Sequence, residues 1–179
     1  MLEAELLGLA KSGDKSALKN LLEANYNVVY GYLLKLTMNE DFTRDLTQET
    51  MTRAIVNIKK FKGESKFSTW LISIASNLFK DVVKKKGQNH EDIDEIVNLD
   101  AGKDVEKAVL TRERLMSLKK ALASIPTEMR QAFILKHYYN YSYEEIAGIL
   151  HCPIGTVRSR IHYSIKKLKS VLDGGISNE

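Results

Sequence analysis

SYEEIAGILHCPIGTVRSRIHYSIKKLK, from Ser142 to Lys169, decides the fold. Ser142 followed three residues later by Glu145 is a capping box, in which each side chain satisfies an orphan backbone N–H at a helix start. Ile146, Ala147, Ile149 and Leu150 give that short helix an apolar side. Pro153 suits the first turn of a second helix, where its missing N–H would go unpaired anyway. In this second helix Val157, Ile161, Ile165, Leu168 and Leu172 recur at spacings of four and three, which predicts one buried stripe. Arg158, Ser159 and His162 then face the other way, with Arg160, Lys166 and Lys167 on the flanks. A short helix, a sharp turn and a basic second helix make a helix-turn-helix, whose second helix fits the major groove of DNA. The alternative is an ordinary helical hairpin with a solvated basic face. Capping box, turn and two-sided helix agree on the DNA-reading unit.

The residues upstream support that motif. A helix is expected near 105–124, on Val109, Leu115, Leu118 and Leu122. A break at Ile125-Pro126 follows, then a helix from Thr127 to about Tyr139 built on Met129, Ala132, Phe133 and Lys136. Downstream, Asp173-Gly174-Gly175 predicts a glycine stop.

Two prolines, ten glycines and long patterns of period 3.6 predict an all-α protein. With 44% apolar residues the chain can build helical cores. The lone Cys152 excludes an intrachain disulfide and a multi-cysteine zinc site. A basic-plus-apolar leader and an uncharged run of membrane-spanning length are both absent, so a soluble, cytoplasmic protein without membrane insertion is expected.

The net charge of +4 hides a sharper pattern. Residues 1–86 carry fourteen lysines and arginines against ten acids, and 105–179 carry twelve against seven. Between them, 87–104 carry one against six, with no periodicity and an Asn, Asp, Glu and Gly composition. The chain therefore reads as two small helical domains, 1–86 and 105–179, on an acidic linker at 87–104. Such a tether averages ~23 Å end to end and extends to ~60 Å, enough to hold two domains more than a turn of duplex apart. His90 beside Glu91 and Asp92 lacks a second histidine at helical spacing, so no metal site is expected.

In the first domain, residues 2–10 and 16–38 read as helices separated at Gly13-Asp14, with Leu18, Leu22, Val29, Leu33 and Leu36 on one face. Tyr26, Tyr30 and Tyr32 read as packing residues. In a helix from about 43 to 60, Leu46, Met51, Ala54, Ile55 and Ile58 are expected to point inward. Asp45, Gln48, Glu49 and Thr52 form a polar stripe opposite, with no Glu–Lys pair inside it. That stripe is either a solvated face or a partner surface.

FKGESKF at 61–67 follows, a glycine-containing turn bracketed by Phe61 and Phe67. The two rings could flank a pocket for a splayed base, with Gly63, Ser65 and Lys66 between them. Equally, they could be two core plugs at the ends of a loop. The helix 68–86 then places Trp70, Leu71, Ile74, Ala75, Leu78 and Val82 on an apolar face. Ser73, Asn77, Lys80 and Lys84 form a polar line, suited to a base edge for the amide and phosphates for the lysines. Trp70 is expected in the core, with a wedge between bases as the alternative.

With these residues laid out, the chain resembles a bacterial RNA polymerase sigma factor of the sigma-70 family, in its extracytoplasmic-function (ECF) group. The likeness spans roughly residues 10–175. It rests on DLTQE at 45–49, F-x-G at Phe61–Gly63 and FSTWL-x-x-I-A-x-N from Phe67 to Asn77. Leu122-x-x-Ile125-Pro126 with Arg130, EIA at 145–147 and GTVRSR at 155–160 complete it.

The resemblance implies that Asp45, Gln48, Glu49 and Thr52 dock on core RNA polymerase. It implies a pocket for a base flipped from the −10 strand at Phe61, Gly63, Ser65, Lys66 and Phe67, favouring that reading of the loop. Trp70, Ser73, Asn77, Lys80 and Lys84 lie along the same strand, and flipping costs a few kcal/mol of stacking that the pocket must recover. At −35 the second helix would read bases with Arg158, Ser159 and His162, while Thr156, Arg160 and Lys166 lie nearer phosphates. Tyr163 stands where many members carry an arginine, which would favour guanine. The acidic linker is implied to thread polymerase channels that RNA later occupies. An anti-sigma factor, commonly membrane-bound, is the implied inhibitor, and no cofactor or catalytic centre is expected. The competing reading is a helix-turn-helix regulator of the response-regulator output type. It explains residues 127–170 equally well but leaves DLTQE, the FSTWL helix and the linker unexplained.

Overall fold

The computed structural model describes residues 3–88 and 120–176, and every regular element among them is helical. The chain divides into two compact units, Met1–Ile93 and Asp94–Glu179. The expected linker beyond Gln88, the His90-Glu91-Asp92 group and the expected helix before residue 120 lie outside the described residues.

The first unit contains α1 (Glu3–Ser12), α2 (Lys15–Thr37), α3 (Glu40–Asn57), a 3-10 turn (Ile58–Lys60) and α4 (Phe67–Gln88). Gly13, at φ +105°, reverses the chain after α1, a conformation that a side chain would strain. Asp14 then caps α2 by accepting from the Ser16 and Ala17 N–H groups at 2.8 and 3.0 Å. Met38 closes α2 in the left-handed region, and the Asn39 side chain starts α3 by accepting from Phe42 N–H at 2.9 Å. The core lies among Leu21, Val29, Tyr32, Leu33 and Leu36 of α2, Leu46 and Ala54 of α3, and Leu71, Ile72, Ala75 and Phe79 of α4. The buried Tyr32 hydroxyl lies 2.7 Å from Ser76 Oγ, the polar partner that a sequestered phenol needs.

Several expected faces are shifted. Along the first half of α2, where α1 packs, the buried line is Ala17, Leu21 and Asn25, while Leu18 and Leu22 are half-buried. In α3 the threonines Thr43, Thr47 and Thr50 are buried. Each hydroxyl lies 2.6 to 2.7 Å from the carbonyl four residues back. A hydroxyl bonded to its own helix leaves only its methyl to pack, so threonine fills the core and Ile55 turns outward, 48% exposed, beside Val56. Ile72, Ser76 and Phe79 add a second buried flank to α4, and that helix continues to Gln88.

The second unit contains helical residues 120–123, α5 (Thr127–His137), α6 (Tyr143–Leu150) and α7 (Ile154–Ile176). Its core joins Ile125, Ile134, Leu135, Ile146, Val157 and Ile161. α5 ends before Tyr139, and its inward residues include Arg130, Gln131 and Ala132, with Met129, Phe133 and Lys136 half-buried. Arg130 Nη2 donates to the carbonyls of Ala123 and Ile125, both at 3.0 Å. It thereby ties the end of the preceding helical turn to α5. Burial lowers the Arg130 guanidinium to about 10, so it remains a cation at neutral pH. In α7 the buried stripe is Val157, Ile161, Ser164 and Leu168, and Ile165 is half-buried. Ser164 takes the inward place because its hydroxyl lies 2.8 Å from Arg160 O and 3.1 Å from Met129 O of α5. The expected glycine stop does not act, since α7 continues through Gly174 and Gly175 to Ile176. Glycine inside a helix costs about 1 kcal/mol without forbidding it. The Leu172 side chain lies outside the described residues.

Candidate nucleic-acid interface

The helix-turn-helix forms as its caps predict. Glu145 N–H donates to Ser142 Oγ at 3.1 Å, and Ser142 N–H donates to Glu145 Oε2 at 2.7 Å. His151, at φ 50° and ψ 50°, closes α6 with its N–H on Ala147 O. Cys152 N–H donates to the same carbonyl at 3.1 Å. The Pro153 carbonyl then accepts from Thr156 and Val157 N–H at 2.9 and 3.2 Å, starting α7. The left-handed residue between two bonded helix ends makes the turn sharp.

On α7 the stripe Val157, Ile161, Ser164 and Leu168 is buried, while Arg158, Ser159, His162, Tyr163 and Lys166 are exposed. Thr156 is half-buried. Ser159 Oγ donates to Thr156 O at 2.9 Å, which leaves its lone pairs to accept from a ligand. Arg160 departs from expectation. Its guanidinium pairs with Glu128 of α5, and Nη1 lies 3.5 Å from Cys152 Sγ. With its side chain only 19% exposed, Arg160 braces the turn against α5 rather than standing free for phosphate. Tyr143, which no periodicity singles out, has the Lys136 ammonium 4.9 Å and the Arg158 guanidinium 5.6 Å from its ring centroid.

In the first unit the loop rings are closed. Phe61 is 3% exposed and Phe67 wholly buried. Their centroids lie 5.5 Å apart, with Trp70 at 5.2 and 5.5 Å from them. Three rings at such distances gain more by packing on one another than by facing water. Phe61 and Phe67 are therefore plugs beneath the loop, not open stacking faces, and the half-buried Trp70 joins them. Gly63, at φ +81°, Ser65 and Lys66 remain exposed above. A cleft of about 520 Å³ lies beside them, walled by Gly63, Ser65 and Phe61 and by Glu3, Leu7 and Lys11 of α1, with the Lys11 ammonium 5.5 Å from the Phe61 ring centroid. The α1 wall has no signal in the sequence, because a residue more than fifty positions away meets the loop only through the fold. On α4, Ser73 and Asn77 are half-buried, and Lys80 and Lys84 are exposed.

The stripe on α3 is open: Asp45, Gln48, Glu49 and Thr52 are all exposed. Glu49 nonetheless has a cationic neighbour, its Oε1 lying 2.8 Å from Arg53 Nε one turn on. Arg53 thus belongs to the same surface, and the lack of a Glu–Lys pair in the stripe does not leave Glu49 without an ion-pair partner. Among the described residues no group of three or more His, Cys, Asp or Glu could hold a metal ion. No helix among them is long and apolar enough to cross a membrane.

The described residues are all helical or connecting, with a helix-turn-helix, the motif by which many proteins read duplex DNA, in one unit and an exposed polar helix face and a small cleft in the other. Comparison with known proteins gives the family. Residues 21–89 match the family Sigma-70 region 2, and residues 115–168 match Sigma-70, region 4. An ECF RNA polymerase sigma-E factor of Haemophilus influenzae is 35% identical over 87% of this chain and 87% of its own length. The ECF RNA polymerase sigma factor SigW of Bacillus subtilis is 30% identical over 90% of this chain and 92% of its own. Among solved structures, the sigma factor RpoE of Bartonella quintana, in complex with the anti-sigma factor NepR, is 28% identical with a TM-score of 0.71. That likeness covers 87% of this chain and 96% of that one. The fold is shared also by CnrH, in complex with the cytosolic domain of CnrY, at 21% identity and a TM-score of 0.70 over 94% and 96% of the two chains.

The chain belongs to the ECF group of sigma-70 sigma factors, a family of transcription initiation factors. The region 2 match covers the half that a response-regulator output protein leaves unexplained, so the sigma reading is favoured over that alternative.

Proposed function

We propose that the chain joins core RNA polymerase and directs it to promoters by touching DNA at two places, performing no catalysis itself. The region 2-like domain at 1–86 holds polymerase through Asp45, Gln48, Glu49 and Thr52, with Arg53 alongside. It meets the −10 strand along Gly63, Ser65, Lys66, Ser73, Asn77, Lys80 and Lys84. The region 4-like domain at 105–179 reads the −35 duplex with Arg158, Ser159, His162 and Tyr163, while Thr156 and Lys166 lie nearer phosphates. The linker at 87–104 joins the two. The observation that carries this reading is α7, which buries one stripe and presents arginine, serine, histidine, tyrosine and lysine together on the other side. Such a face supplies both base-edge and phosphate contacts within one groove.

The protein acts in the cytoplasm, where polymerase and promoter meet. An anti-sigma factor is the expected inhibitor, and the polar face of α3 is one surface it would have to cover. The test is transcription in vitro with purified core polymerase over a randomised promoter library, alongside a pull-down of core. Specific start sites should require both the chain and its first domain. Binding to core that survives loss of that domain would defeat the assignment of α3.

A further inference from the structure

The ring of Tyr143 lies outside the recognition face of α7, yet it meets that face's first arginine. Tyr143 opens α6, and its neighbours Ser142 and Glu145 are locked to each other by the two capping-box hydrogen bonds. The ring therefore sits at a firmly held point of the motif. The Arg158 guanidinium of α7 lies 5.6 Å from its centroid, and the Lys136 ammonium of α5 lies 4.9 Å from it. Lys136 is itself anchored, with Nζ donating to Tyr141 O at 3.2 Å. Both distances fall within the range where the electron-rich face of an aromatic ring attracts a cation.

An arginine on an exposed helix face samples many rotamers, and fixing them on binding costs affinity. A ring that already holds the guanidinium removes part of that cost. Lys136 on the same ring repels Arg158, so the cluster gains when a hydrogen-bond acceptor arrives to share the positive charge. A guanine edge, with two acceptors spaced for a guanidinium fork, is the base that suits it.

We propose that Tyr143 is a positioning residue for Arg158: its ring holds the guanidinium ready for one base pair of the −35 duplex. Tyr143 thereby helps set sequence preference from the first helix of the motif. This rests on the reading of α7 as the −35 helix.

The experiment uses the full chain with core polymerase on a randomised −35 library, comparing Tyr143→Leu, Tyr143→Phe, Arg158→Ala and the Tyr143→Leu/Arg158→Ala pair. Thermal melts check that each variant folds, and Tyr143→Met, which keeps bulk without the ring, replaces the leucine variant if its melt shifts. Tyr143→Leu is expected to cut preference about 3- to 5-fold at the one base pair that Arg158→Ala also blurs. Tyr143→Phe restores it, and the pair is no worse than Arg158→Ala alone. Additive effects in the pair, or a loss spread evenly over all −35 sequences, would overturn the proposal, as would full preference in Tyr143→Leu. Arg158→Ala without effect at any −35 position would instead remove the reading of α7 on which the proposal stands.

Discussion

The two surfaces proposed to meet nucleic acid, the exposed face of α7 and the loop at 61–67, are built in opposite ways. On α7 the polar side chains already stand in solvent, because the helix buries a separate stripe and the two faces do not compete. At the loop the aromatic groups suited to stacking are spent on one another, with Phe61, Phe67 and Trp70 packed at centroid distances of 5.2 to 5.5 Å. A duplex can dock on the first surface with only side-chain adjustment. On the proposed reading, a flipped base at the second surface would meet the exposed Gly63, Ser65 and Lys66 and the cleft against α1, unless the trio opens. The difference separates two kinds of site: one preformed on a helix face, the other dependent on polar loop atoms above a hydrophobic plug.

The largest test of this contrast is Phe67→Ala. As a plug, Phe67 is worth about 3–5 kcal/mol to its unit, read by denaturant unfolding with Trp70, the sole tryptophan, as the fluorescent probe. The −35 preference should survive. If stability is unchanged while promoter opening is lost, the ring is a stacking face and the contrast breaks.

Next come two arginines on one helix. Arg158→Ala should cost ~1–3 kcal/mol of discrimination at a single −35 position. Arg160→Ala should leave base preference alone and lower stability by about 1 kcal/mol, a modest figure because its partner Glu128 is half exposed. An exchange of these phenotypes would show that Arg160 leaves Glu128 to meet DNA.

Asn77→Ala sharpens the other side. It should weaken −10 discrimination by about 1 kcal/mol while −35 preference stays; equal loss at both places would indicate misfolding.

The smallest effect concerns pH. Burial, with Tyr141 as a lesser cause, pushes the Tyr139 phenol up from 10.0 to about 12. A group raised in the folded state contributes its stabilisation fully below the unfolded value, here about pH 10, and loses it as the pH rises through about 12. The parent's melting temperature should therefore fall more steeply over that window than that of Tyr139→Phe. Parallel curves would rule this contribution out.

Particular residues show where the sequence could be read and where it could not. The capping box at Ser142 and Glu145 and the break at Pro126 were legible because their partners lie within four positions. Arg158, His162 and Lys166 were legible because a helix with one apolar stripe must turn its other side out. Thr43, Thr47 and Thr50 carried no signal of burial, since only the folded helix shows each hydroxyl satisfied by the carbonyl four residues back, and the expectation that Ile55 points inward fails. Ser164 was hidden because its reason for facing inward is the carbonyl of Met129, thirty-five residues away. The role of Arg160 was equally hidden, resting on Glu128 across the motif.

The amino-acid order alone therefore determined the all-helical class, the turn between α6 and α7, and the outward direction of the recognition face. These follow from hydrogen bonds and periodicity within a turn or two of helix, which each segment carries with it. Tertiary structure decided which aromatics are plugs, which arginine is a brace, and which ring, Tyr143, holds the arginine left exposed. Those outcomes depend on distances between residues remote in sequence, and such distances exist only once the helices have packed.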